Sequence, residues 1–260
     1  MATNSKTDTA LPIYAEGALT GACWSCGDMR AAHFCQACGK LQPAVPADYF
    51  SFFGLPRKLN LDTAALEQEF YKLSRKLHPD IYAGASRQEQ EWSLQKSSQL
   101  NDAYRTLRDP VSRTQYLLKL EGVNLEEQSK TATEQARETG AQKQQAVPPE
   151  MLEEVFELNL QLEEARMNKK MGERDADLLR QLEGTRNDLQ ARHDALMDEL
   201  QGYWNEWDAL EETPTSAKSG QMWGTETPTC KAVLDKMVGL LNRRSYIRNL
   251  VRDVNEVLED

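Results

Sequence analysis

Nowhere in this 260-residue chain does an apolar run approach the roughly 18 to 20 residues that a bilayer-crossing helix needs, so no membrane span is expected. The first twenty residues lack both a basic start and a continuous apolar stretch, and they contain Asp8 and Glu16 but no arginine. Neither a secretion signal nor a mitochondrial transit peptide is therefore expected, and the expected compartment is the cytoplasm. Positive charge is in deficit: 31 Lys and Arg against 41 Asp and Glu leave a net −10, which disfavours a general nucleic-acid binder. Cysteine is scarce as well. There are five, and four lie between positions 23 and 38, which argues against a framework of scattered disulfides. The fifth, Cys230, has only Lys231 beside it to lower its pKa and reads as a small helix residue.

Strand-like segments are few, and helical spacing dominates instead. Leu66, Phe70, Leu73 and Leu77 share one helix face, and Asp62 stands where its carboxylate can cap the first free N–H groups. Leu100, Ala103, Tyr104 and Leu107 repeat the pattern, which predicts an antiparallel pair around a loop containing His78, Pro79, Asp80 and Gly84. Asp109-Pro110 starts a further helix that ends near Gly122. After Pro148-Pro149, three long amphipathic helices follow, the first from about Glu150 to Met171, and they can close as a bundle. Residues 126–147 hold almost no large apolar side chain and read as a linker. Residues 213–229, with Pro214, Gly220, Gly224 and Pro228, read as a long loop. The expected architecture is mostly α: a tail over 1–20, a small cysteine module over 21–46, a helical-hairpin domain over 47–125, the linker, and a three-helix bundle over 148–260.

Cys23-x2-Cys26 and Cys35-x2-Cys38 are two knuckles whose thiolates can converge on one tetrahedral ion, with Gly27 and Gly39 placed for tight turns. Too few apolar residues lie here to fold unaided, and structural zinc supplies an apparent binding free energy of roughly 10 to 16 kcal/mol in such modules. Zinc is the expected ion. An oxidisable dithiol pair, a rubredoxin-like iron site and ligation of a cluster are the other chemistries four cysteines allow. His33 lies between the knuckles; with four thiolates completing the shell it reads as a surface residue.

The triplet His78-Pro79-Asp80 ends the segment ALEQEFYKLSRKLHPD and precedes LNDAYRTLRDP, an arrangement that resembles the J-domain, the module that stimulates ATP hydrolysis by DnaK-type chaperones. DYFSFFGLP, NDAYRTLRDPVSRTQYLLKLEG and the late helical block extend the likeness to the HscB family, co-chaperones of iron–sulfur biogenesis. Animal members carry an N-terminal CWxCG…FCxxC segment, similar to CWSCG…FCQACGKLQP here. The resemblance implies that His78, Pro79 and Asp80, with the basic face Lys72, Arg75 and Lys76, contact an HscA- or DnaK-type ATPase. Catalysis then occurs on the partner, and this chain needs no nucleophile or base of its own.

On the helix from Glu150, Met151, Val155, Leu158 and Leu162 form a core seam, and Leu152, Phe156 and Leu160 form a spare apolar stripe about a third of a turn away. The resemblance implies that this region holds an IscU-type cluster scaffold through Leu152, Phe156 and Tyr246, with Glu157 as a polar companion. Two other readings are a zinc-thiol redox sensor on a helical scaffold and a general J-protein for unfolded clients.

Overall fold

A computed structural model describes residues 21–29, 32–123, 151–173, 175–211 and 228–259. The expected tail over 1–20, the linker over 126–147 and nearly all of the 213–229 loop lie outside them. Among the described residues there are seven α-helices: α1 Tyr49–Phe52, α2 Thr63–Leu77, α3 Arg87–Arg108, α4 Pro110–Leu120, α5 Leu152–Met171, α6 Ala176–Glu211 and α7 Pro228–Glu259. No strand occurs among those residues, and an isolated antiparallel bridge joins Phe34 and Leu41. The chain forms two compact units, Met1–Leu117 and Leu118–Asp260.

In the first unit, the Asp62 carboxylate accepts from the Ala64 and Ala65 N–H groups, both at 3.0 Å, which starts α2 where the sequence predicts. Ser86 and Glu89 form a reciprocal capping box that starts α3. Side chains on α3 reach Leu77 from Ser93 and Ser97, and Glu67 from Tyr104, so the two helices run antiparallel. Phe70 and Tyr104 stack across them with centroids 4.1 Å apart. Phe50 on α1 is fully buried, and Tyr49 stacks on Tyr116 of α4 at 4.4 Å.

The buried side of α3 changes character along its length. Leu100, Ala103 and Leu107 are apolar, as expected, but the first half buries Glu89, Ser93 and Lys96. Those polar groups meet the cysteine module and the end of α2 rather than an apolar face.

The second unit is a three-helix bundle. Glu199 pairs with Arg243 through two 3.1 Å contacts, and Glu206 pairs with Lys236 at 2.8 Å, so α6 and α7 are antiparallel. Arg192 reaches Glu154 on α5 at 2.6 Å. Val155, Leu158 and Leu162 line the inner face of α5, the predicted seam. Gly172, at φ 75°, ends α5 with its N–H donated to Lys169 O, a left-handed cap that suits glycine. Pro228 and Thr229, expected in the preceding loop, are instead the first residues of α7, where a proline at the helix start lacks only an N–H that would go unpaired anyway.

Candidate metal centre and docking surfaces

The two knuckles have the same local construction. Gly27 N–H donates to Cys23 O and Gly39 N–H to Cys35 O, both at 2.9 Å, with φ near 76° and 71° that only glycine adopts without strain. Cys23 N–H donates to Asp28 O at 2.8 Å and Cys35 N–H to Lys40 O at 2.9 Å, which closes each loop. The result brings Cys23 Sγ within 3.7 Å of Cys38 Sγ and Cys26 Sγ within 3.5 Å of Cys35 Sγ, and all four sulfurs lie within 4.8 Å of one another. Metal–sulfur bonds of about 2.3 Å in a tetrahedron require sulfurs roughly 3.8 Å apart. The four cysteines therefore fit one metal ion.

Hydrogen bonding polarises the shell. Burial acts to raise the Cys23 thiol, but N–H groups of Cys26 and Ser25 aimed at its sulfur outweigh it and bring the thiol down to about 6. At Cys26 the Asp28 N–H lowers the thiol, yet proton sharing with the crowded Cys35 and Cys38 sulfurs pushes it up to about 12. Such a set gives up its remaining protons when a cation enters.

His33 corrects an expectation. It is not a surface residue: it is 2% exposed, its Nε2 lies 2.8 Å from Phe52 O, and its Nδ1 lies 3.3 Å from Lys96 Nζ. A carbonyl only accepts, so Nε2 carries the proton and Nδ1 accepts from the ammonium. Burial, then the Lys96 charge, bring the imidazole down to about 4. The reason for the burial is that the cysteine module packs on the hairpin. Trp24 meets Trp92 edge to face at 5.7 Å, Lys40 pairs with Glu89 at 3.3 Å, and Lys76 Nζ sits 5.9 Å from the Phe34 ring. The polar first half of α3 was the sequence signal for this docking.

The His-Pro-Asp turn follows directly on α2. His78 leaves the helix at ψ 130°, the extended value that a following proline imposes, and residues Pro79–Tyr82 make one 3-10 turn. The Asp80 N–H donates to His78 Nδ1 at 3.3 Å, and the Asp80 carboxylate, 91% exposed, stands 3.6 Å from the same nitrogen. Lys72, Arg75 and Lys76 lie within an arc of about 100° on the preceding turns of α2. Arg75 and Lys76 are exposed, and Lys72 makes an i,i+3 pair with Glu69 at 3.1 Å. The six residues expected to meet a chaperone are thus brought together around one helix end.

On α5, Leu152, Phe156 and Leu160 are all exposed, Phe156 at 65%, and Glu157 is exposed beside them. Met167 and Met171 continue the same face to the helix end, which the sequence reading did not include. Tyr246 requires a correction. On α7 it is only 9% exposed, on the inner side with Ile247 and Leu250, so it is not displayed as the α5 stripe is.

The helical hairpin with an exposed His-Pro-Asp turn makes this chain a J-domain protein, and the DnaJ domain family matches residues 48–116. Beyond that domain, the chain is 35% identical over 156 residues to the co-chaperone protein HscB homolog of Bordetella avium, covering 60% of this chain and 83% of that one. It is 35% identical over 144 residues to the iron-sulfur cluster co-chaperone protein HscB homolog of Arabidopsis thaliana, and 40% identical over 111 residues to the Mus musculus HscB co-chaperone. These two matches take in 55% and 40% of this chain, and 51% and 47% of the relatives, so the chain spans about half the length of each. The crystal structure of human co-chaperone protein HscB shares the fold, with a TM-score of 0.55 at 22% identity over 91% of this chain and 98% of that one. The chain belongs to the HscB family of co-chaperones.

Proposed function

We propose that the protein is the co-chaperone of an HscA- or DnaK-type ATPase in iron–sulfur cluster assembly, working in the cytoplasm. One observation carries the reading: His78 and Asp80 are displayed together at a rigid helix end, with Lys72, Arg75 and Lys76 on the helix behind them. Asp80 offers a carboxylate that an arginine of the partner can grip through two hydrogen bonds. Pro79 restricts the turn, so little freedom is lost on docking. The basic helix face steers the encounter towards an acidic surface.

In this reading, Leu152, Phe156 and Leu160 of α5, with Glu157, hold the IscU-type scaffold that carries a nascent cluster. The J-domain recruits the ATPase, and hydrolysis clamps it on the scaffold. The tetracysteine centre holds zinc through Cys23, Cys26, Cys35 and Cys38. That ion supplies cross-linking rather than chemistry, because four thiolates leave no coordination position for a substrate.

The test is steady-state ATP hydrolysis by the purified chaperone with the scaffold present. Wild-type protein raises the rate, and His78→Gln raises it by less than a tenth as much. Equal stimulation by the two proteins defeats the reading.

A further inference from the structure

The end of α2 has an unusual construction. A helix leaves its last carbonyls without backbone partners, and a left-handed glycine commonly turns the chain back to satisfy them. Here the residue after α2 is His78 in an extended conformation, and no such cap forms. The neighbouring amides are engaged elsewhere: Ile81 N–H donates to His78 O, and Asp80 N–H donates to His78 Nδ1. Leu77 is fully buried, so its carbonyl cannot be left bare without the cost of a desolvated acceptor.

Two serines on α3 satisfy it. Ser93 Oγ donates to Leu77 O at 2.7 Å and Ser97 Oγ donates to the same oxygen at 2.8 Å, which occupies both lone pairs. Positions 93 and 97 are one helical turn apart on one face, so both hydroxyls converge on a single point. Ser93 is completely buried. Tyr82, from the turn itself, donates its hydroxyl to Lys76 O at 3.2 Å, one carbonyl earlier. Serine is a poorer helix former than alanine, so these residues cost α3 intrinsic stability, and their hydroxyls do something alanine cannot.

We infer that Ser93 and Ser97 are positioning residues for the chaperone-activating turn: by fixing the Leu77 carbonyl to α3 they set where His78 and Asp80 stand. Pro79 stiffens the turn internally but does not tie it to the hairpin. Gln90 on α3 donates to Ala83 O and Ala85 O beyond the far end of the turn, while the two hydroxyls tie its start to α3. Without them the basic face of α2 is intact and still attracts the ATPase, but the imidazole and carboxylate arrive out of place. The inference rests on the ATPase-stimulation reading above.

The experiment uses the full chain with Ser93→Ala/Ser97→Ala, with Ser97→Ala, and with Ser97→Thr, which keeps a hydroxyl at the partly exposed position. Chaperone ATPase is followed against co-chaperone concentration, and amide hydrogen exchange is read at Asp80 and Ile81. The double alanine variant is expected to lower maximal stimulation about tenfold, the order of losing about one net hydrogen bond, with a far smaller change in half-saturating concentration. Exchange at Asp80 and Ile81 rises in parallel, Ser97→Ala is intermediate, and Ser97→Thr matches wild type. Wild-type maximal stimulation by a folded double variant overturns the inference, as does a loss that appears wholly in half-saturating concentration. If the double variant does not fold, Ser97→Ala against Ser97→Thr decides, because equal behaviour of those two also overturns it. If wild type gives no stimulation at all, the functional reading fails. The tie is then judged by exchange alone, and unchanged protection at Asp80 and Ile81 overturns it.

Discussion

Lys96 is 2% exposed and donates to the His33 imidazole, with no carboxylate among its hydrogen-bond partners in the described residues. Burial lowers its ammonium pKa to about 8. The unfolded chain keeps that proton up to about pH 10.4, so between these values the folded protein binds fewer protons than the unfolded one. Stability contributed at this site therefore rises with pH across that window, by about 3 kcal/mol in all, and the penalty is fully present below pH 8. Denaturant titrations of wild type and Lys96→Met at pH 7.5, 9 and 10.5 check this. Wild type gains on the variant as pH rises, and parallel curves for the two proteins contradict it. The same residue shows what a sequence conceals, since a lysine at a helix position reads as solvated until its neighbour in space is known.

At the scale of elements, two helix starts are legible in the sequence because a cap is a local event, whereas the start of α7 at Pro228 carries the turn-like composition of a loop. Asp62 and Asp109 each accept from N–H groups two or three residues ahead, and nothing distant is needed to read them. The apolar seam of α5 and the spare stripe beside it were legible for a similar reason, from helical periodicity alone. Tyr246 and His33 were misplaced because each depends on which face another element covers, and spacing carries no such information. The α5 stripe also separates stability from docking. Replacing Phe156 and Leu160 by serine removes exposed apolar surface at little change in helix propensity. Their melting temperature should stay within 2 °C of wild type, while capture of the scaffold falls at least tenfold. A large drop in melting temperature instead assigns the stripe to the fold.

Two compact units make the whole molecule respond unevenly to metal removal. The first unit has its cysteine module docked through His33, Lys40 and Trp24 on an otherwise polar stretch of α3. Chelation therefore withdraws more than a local staple. It should lower the unfolding midpoint of residues 21–117 while leaving the bundle unchanged. Separate tryptophans report on each part: Trp24 and Trp92 in one unit, Trp204 and Trp207 in the other. Thermal unfolding before and after treatment with a zinc chelator, followed on single-tryptophan variants, checks the asymmetry. An equal shift in both units rejects it.

The docking contacts carry a consequence for synthesis on the ribosome. Knuckle closure joins sulfurs only 15 positions apart, whereas the bonds from the module to α3 span 49 and 63. Closing the short loops is faster and entropically cheaper. A nascent chain can thus assemble its cysteine knot as soon as an ion arrives, well before α3 has left the exit tunnel. The hairpin, emerging afterwards, finds the surface that its Glu89 and Lys96 pair with already built.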